Sequence, residues 1–165
     1  FDQAKEVMKE LENIASEAYQ SKGYFEDKAH FVKNFKKVVM LIMEAAANKF
    51  GRKMSQEQEI LSNLADMVTL TYVAESTLLR LKKRESINAE GDKNLYRDIL
   101  DVLMIDTADK IRKYALDAIY SLDAEEDVEK YTKGIHHFTE LPRVNVKEAR
   151  RRIADRLIEE NRYCF

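Results

Sequence analysis

Apolar residues recur every three or four positions along most of the chain, the spacing that gives a helix one apolar face. Ala4, Val7, Met8, Leu11, Ile14, Ala15 and Ala18 mark a first helix, closed near Gly23. Phe31, Val32, Phe35, Val38, Val39, Ile42, Met43, Ala46 and Phe50 mark a second, and Gly51 stands where a C-terminal cap belongs. Ser55 and Gln58 have capping-box spacing and open a third helix reaching about Lys83. The polar stretch Arg84 to Asp92 reads as a loop. A fourth helix then carries Leu95, Ile99, Leu100, Leu103, Ile111, Tyr114, Ala118 and Leu122. Asp123 with Glu126 opens a shorter fifth helix through about Phe138. Asn145 with Glu148 opens a last one, predicted to bury Ala149, Ile153, Leu157 and Ile158.

The main spans fall at about 3–19, 26–50, 55–84 and 93–122, and no stretch alternates long enough to argue for a strand. Long helices joined by short loops pack as antiparallel neighbours. The pattern therefore predicts an all-α fold: one domain over 1–165, an up-down bundle of four main helices and two shorter ones.

Composition narrows the function classes. Among 165 residues, 28 Lys plus Arg stand against 30 Asp plus Glu, which removes the electrostatic basis for nucleic-acid binding. The longest apolar run, Val38 to Met43, is far short of the ~20 residues of a membrane span. One cysteine, Cys164, cannot form an internal disulfide, which points to a reducing compartment. The first residue is Phe1, which fits a piece of a longer chain.

A search for chemistry yields no catalytic, cofactor-binding or metal residue. His136 and His137 are adjacent and point about 100° apart on a helix, so they cannot share a metal as an i, i+4 pair could. With His30 they read as surface histidines, and no Glu-x-x-His occurs to build a di-iron bundle. Cys164 lies beside a chain end, a poor place for an activated thiolate. No Gly-rich phosphate loop is present. Arg150, Arg151 and Arg152 alternate with Glu148, Asp155, Glu159 and Glu160 and read as a salt-bridged solvent face. Phe25, Phe31 and Phe35 interleave with Lys22, Lys28, Lys33, Lys36 and Lys37. A core seam with lysines extending past it outweighs a membrane-surface helix as the explanation.

One polar set stands out. The apolar arc of the third helix runs through Ile60, Leu61, Leu64, Met67, Val68, Tyr72, Leu78 and Leu79, with Thr71 and Glu75 near its centre. A buried unpaired carboxylate is costly, so Glu75 needs a partner. Folding the second helix onto the third brings Lys28 to about the same height. Lys28, Thr71 and Glu75 are predicted as buried structural polar residues, with a Lys28–Glu75 contact and Tyr96 as the alternative partner.

The stretch Gln56 to Leu81, QEQEILSNLADMVTLTYVAESTLLRL, resembles the extra C-terminal helical domain of acyl-CoA dehydrogenases of the very-long-chain type and their bacterial relatives. The ending Val144 to Phe165, VNVKEARRRIADRLIEENRYCF, is similar to the C-terminus of the bacterial members. In that family flavin and acyl-CoA sit in the preceding dehydrogenase core, so no catalytic or FAD-binding residue carries over. The resemblance implies a non-catalytic accessory domain in fatty-acid β-oxidation, with FAD in the parent enzyme. Its partners would be the core of the same chain and a second subunit of a homo-oligomer. It would lie in the bacterial cytoplasm, or in the mitochondrion of a eukaryote, with membrane docking the lesser expectation. By itself the chain should be colourless and inactive. A free-standing helical module that binds other proteins is the alternative.

Overall fold

The computed structural model describes residues 6, 7, 9, 10, 19–87, 89, 91–122 and 128–162. From residue 24 onward, five helices follow one another among the described residues: α1 (Tyr24–Phe50), α2 (Gln58–Ser86), α3 (Lys93–Tyr120), α4 (Val128–Phe138) and α5 (Val146–Glu160). A 3₁₀ turn, Gly51–Gln56, joins α1 to α2. The class is all-α, as the 3.6-residue period required. Of the expected first helix, residues 6, 7, 9 and 10 are helical and most others lie outside the described residues. Residues 19–23 are not helical. The Asp123–Glu126 pair and Cys164 lie outside the described residues.

Several helix ends have a local cause. Gly51 adopts φ 50°, where a Cβ would be strained, and its amide donates to the Ala47 carbonyl to close α1. The Asp92 carboxylate accepts from the amides of Asn94 and Leu95 and starts α3. The Asn145 side chain accepts from the Glu148 amide at 3.2 Å and starts α5. Ser55 does not cap α2, contrary to expectation. It is wound into the 3₁₀ turn, so the helix opens at Gln58 behind Glu57, and the Gln58 amide group reaches back to the Ser55 carbonyl at 2.8 Å.

The three long helices have 27, 29 and 28 residues, each about 40 Å long. Contacts along the chain run up, down and up: Lys36 meets Glu75, Glu85 meets Arg97, and Lys28 meets Asp101. The apolar residues of α3 are spread over several faces because it lies at the centre, touching the four other described helices. Phe35, Val38, Leu41 and Ile42 from α1, Met67 from α2, Leu100, Met104 and Ile111 from α3, and Ile135 and Phe138 from α4 form the sealed core.

Two expectations about faces need correction. The buried seam of α2 is Ile60, Leu64, Met67, Thr71, Ala74, Leu78 and Leu81. Val68, Tyr72 and Leu79 lie outside it, at 48%, 70% and 59% exposure. On α5 only Ala149 is buried, while Ile153 is half-buried and Leu157 and Ile158 are exposed. The reason is that, among the described helices, α5 rests chiefly on α3, so one stripe is covered and the adjoining positions face outward. Two ion pairs add to this contact. Arg150 reaches Asp106 at 2.6 Å, and Arg152 grips both oxygens of Asp98 at 2.7 and 2.6 Å. These arginines flank the Ala149–Ile153 stripe and clasp α3 from either side. The tribasic run is therefore salt-bridged as expected, but two of its partners are on another helix.

Candidate functional site

The densest polar cluster lies where the start of α1, the end of α2 and the start of α3 meet. The helices supply Tyr24 and Lys28, then Glu85, then Arg97 and Asp101. Lys28 Nζ sits 2.5 Å from Asp101 Oδ1, their side chains 10% and 21% exposed. The Tyr24 hydroxyl donates toward the same Asp101 oxygen and the Arg97 carbonyl, both at 3.1 Å. Arg97 makes a two-pronged bond to Glu85, Nε and Nη2 donating at 2.8 and 2.7 Å. Its guanidinium also lies 4.7 Å from the Tyr24 ring centre and 5.7 Å from that of Phe25.

These contacts set the electrostatics. Burial, reinforced by the neighbouring Asp101 carboxylate, pushes the Tyr24 phenol well above its ordinary value. The bonds from Arg97 hold Glu85 below the usual carboxylate range, and the same bonds raise Arg97. Tyr24 therefore stays a neutral donor and Glu85 a charged acceptor at neutral pH. Such a cluster can lock three helix ends in register. Its acids and bases are engaged with one another, so it offers no poised nucleophile or general base.

The sequence-predicted residues are placed differently from the expectation. Lys28 and Thr71 are buried, at 8% and 5% exposure. Thr71 spends its hydroxyl on the Met67 carbonyl of its own helix at 2.8 Å. Glu75 is not buried: its side chain is 38% exposed and pairs with Lys36 at 2.6 Å. No Lys28–Glu75 contact forms, because Lys28 points into the α1–α3 interface and Lys36 occupies the α1–α2 edge. Tyr96 is instead stacked with Arg84, whose guanidinium carbon is 4.1 Å from the ring centre. The Phe–Lys interleaving proves to be a core seam. Phe31 and Phe35 are buried, Lys28 reaches Asp101, and Lys37 reaches Glu10 across the Phe138 ring. Asp101 was missed: it is one of five aspartates on α3, with Asp98, Asp106, Asp109 and Asp117, and nothing in the spacing sets it apart.

A second cluster ties the segment before α1 to its first turn. Asp27 accepts from the Tyr19 hydroxyl at 2.7 Å, the Ser21 hydroxyl at 2.5 Å and the Lys22 amide at 3.0 Å. His30 stacks on Tyr19 with ring centres 3.9 Å apart, so it is not a plain surface histidine. The bonds from Ser21, Lys22 and Tyr19 bring the Asp27 carboxyl from 3.8 down to about 2. A depressed carboxyl stabilises the folded form fully above its ordinary value and loses that contribution as pH falls through about 2. The Tyr19 ring signals in an NMR titration should therefore hold steady to about pH 3 and shift with a midpoint near pH 2. Asp27→Ala should show the low-pH signals already at neutral pH.

Among the described residues no group of three or more His, Cys, Asp or Glu could hold a metal ion. None of their helices is long and apolar enough to cross a membrane.

Comparison with known proteins accounts for the bundle. Residues 34–137 match the family model "Acyl-CoA dehydrogenase, C-terminal domain". A "Probable acyl-CoA dehydrogenase" of Bacillus subtilis (strain 168) is 27% identical over 165 residues, covering 99% of this chain and 27% of that protein. The crystal structure of an acyl-CoA dehydrogenase complexed with FAD from Bacillus anthracis superposes with a TM-score of 0.90 at 23% identity. The match covers 99% of this chain and 28% of that one, and shows a shared fold. The chain thus spans about a quarter of the length of the relatives it matches. With the family model lying over more than half of its residues, the chain belongs to the acyl-CoA dehydrogenases, as a C-terminal domain.

Proposed function

We propose that this bundle is a non-catalytic accessory domain that packs against the dehydrogenase core and strengthens the assembly of an FAD-dependent acyl-CoA dehydrogenase. The observation that carries this reading is the alignment of nearly the whole chain with about a quarter of a dehydrogenase. The chemistry of the chain supports it. Acyl-CoA dehydrogenation needs a carboxylate to take an α-proton and a flavin to take hydride. The cluster around Asp101 is internally paired. The glycines with positive φ, Gly23, Gly51 and Gly91, stand at helix ends rather than in a phosphate-cradling loop. These residues fit a structural role better than a flavin site, so FAD and acyl-CoA are assigned to the core.

The test is deletion of this domain from the full-length enzyme. Melting temperature or subunit affinity should fall, while flavin content and reduction by acyl-CoA in the surviving enzyme remain largely intact. Unchanged melting and association would end the assembly role. Loss of flavin reduction in protein that stays folded would end the non-catalytic one.

A further inference from the structure

α2 carries two apolar seams. The first, Ile60 through Leu81, is buried in the bundle. The second is displaced by one position: Leu61, Ala65, Val68, Tyr72 and Leu79, again alternating in steps of three and four, with Glu75 in the series. This spacing is that of a helix-packing stripe, yet Val68, Tyr72 and Leu79 are 48%, 70% and 59% exposed. α1 extends the stripe. The Lys36–Glu75 pair fixes the antiparallel register, and two helical turns along from it Met43 reaches the level of Val68. Met43 is 48% exposed. Lys36 and Glu75, the two charges set in this face, are paired at 2.6 Å.

We infer that the outward α1–α2 face, built on Met43, Val68, Tyr72 and Leu79, is the seat on which the dehydrogenase core of the same polypeptide rests. The inference builds on the accessory-domain reading and adds the surface. Area and tethering together favour one occupant. The four exposed side chains present on the order of 400 Å² of apolar surface. Since a little over half of an interface is apolar, this corresponds to roughly 700 Å² a side. That lies within the roughly 300–750 Å² a side of contacts between domains of one chain. It falls just short of the standard contact between separate chains, about 800 Å² a side. A tether also supplies an effective concentration on the order of millimolar, so a small contact suffices. The relatives carry about three-quarters of their length beyond the matched part, enough for that core.

Hydroxyl-radical footprinting of the full-length enzyme reads the contact directly, since Met43 and Tyr72 are both reactive probes. In flavin-containing protein, both should oxidise about tenfold more slowly than in the urea-unfolded chain, as expected for a water-excluding contact, at every protein concentration. The double variant Tyr72→Glu, Leu79→Glu, which alters only exposed side chains, should return Met43 to fast oxidation with the helical circular dichroism unchanged. Fast oxidation of Met43 and Tyr72 in the unaltered enzyme overturns the proposal. So does protection that disappears on dilution, which assigns the face to another subunit. Protection that needs added phosphatidylglycerol vesicles overturns it in favour of a membrane. A full-length chain that binds no flavin defeats the dehydrogenase reading itself, a failure distinct from an exposed seat in a flavin-loaded enzyme.

Discussion

Asp101→Ala should cost about 3 kcal/mol of folding free energy, because it leaves the Lys28 ammonium enclosed without its counter-charge. The value belongs at the lower end of the range for broken buried pairs, since the Asp101 side chain retains 21% exposure. Tyr24 would keep the Arg97 carbonyl as acceptor, so its loss adds little. The informative comparison is Lys28→Met. It removes the cation, which lies 5.2 Å from the Tyr24 ring centre and 5.8 Å from that of Phe31, and strands Asp101 instead. That carboxylate keeps 21% exposure and the Tyr24 hydroxyl, so the loss should be smaller, about 1–2 kcal/mol. Combined with Asp101→Ala, it should recover most of the lost stability. Urea unfolding of the four proteins tests this as a double-mutant cycle. Equal losses for the two single variants would mean that the pair, rather than the stranded cation, carries the energy.

Phe35→Ala should be at least as damaging, at about 4 kcal/mol. Phe35 is fully sealed on α1, within the cluster that joins all the major helices. Removing the ring forfeits its transfer free energy and leaves a cavity that the crowded neighbours can only partly close. Tyr72→Ala, which deletes an equally large ring at 70% exposure, should change the stability of this 165-residue chain by no more than about 0.5 kcal/mol. Thermal or chemical unfolding distinguishes the two. A large loss from Tyr72→Ala would mean that the outward face is already covered within the chain.

Much of the fold was legible because its causes are local. Gly51, Asp92 and Asn145 mark helix ends through backbone conformation or a short polar side chain, and the apolar period fixes helix type. Across chain separations of tens of residues the reading lost precision. A helical wheel finds the mean direction of apolar residues, and on α2 that mean falls between two seams about 100° apart. Thr71, at the inner edge of the first seam, and Glu75, at the inner edge of the second, lie nearest that mean, which is why Glu75 looked central while Val68, Tyr72 and Leu79 looked buried. The wheel also ranks faces without saying which neighbour each meets. Lys28 faces inward, as expected, but toward α3, where Asp101 waits, and not toward α2. Sequence hydropathy likewise assigned Leu157 and Ile158 to a core, although among the described helices α5 packs chiefly on α3.

The arginine clasp on α5 divides the domain by its response to salt. At 1 M ionic strength the screening length falls to about 3 Å, comparable with the Arg150–Asp106 and Arg152–Asp98 separations. The apolar contacts among α1, α2, α3 and α4 lose nothing by such screening and gain from salts excluded from protein surfaces. α5, with Ala149 as its one buried side chain, is therefore the first part of the bundle that brine would loosen.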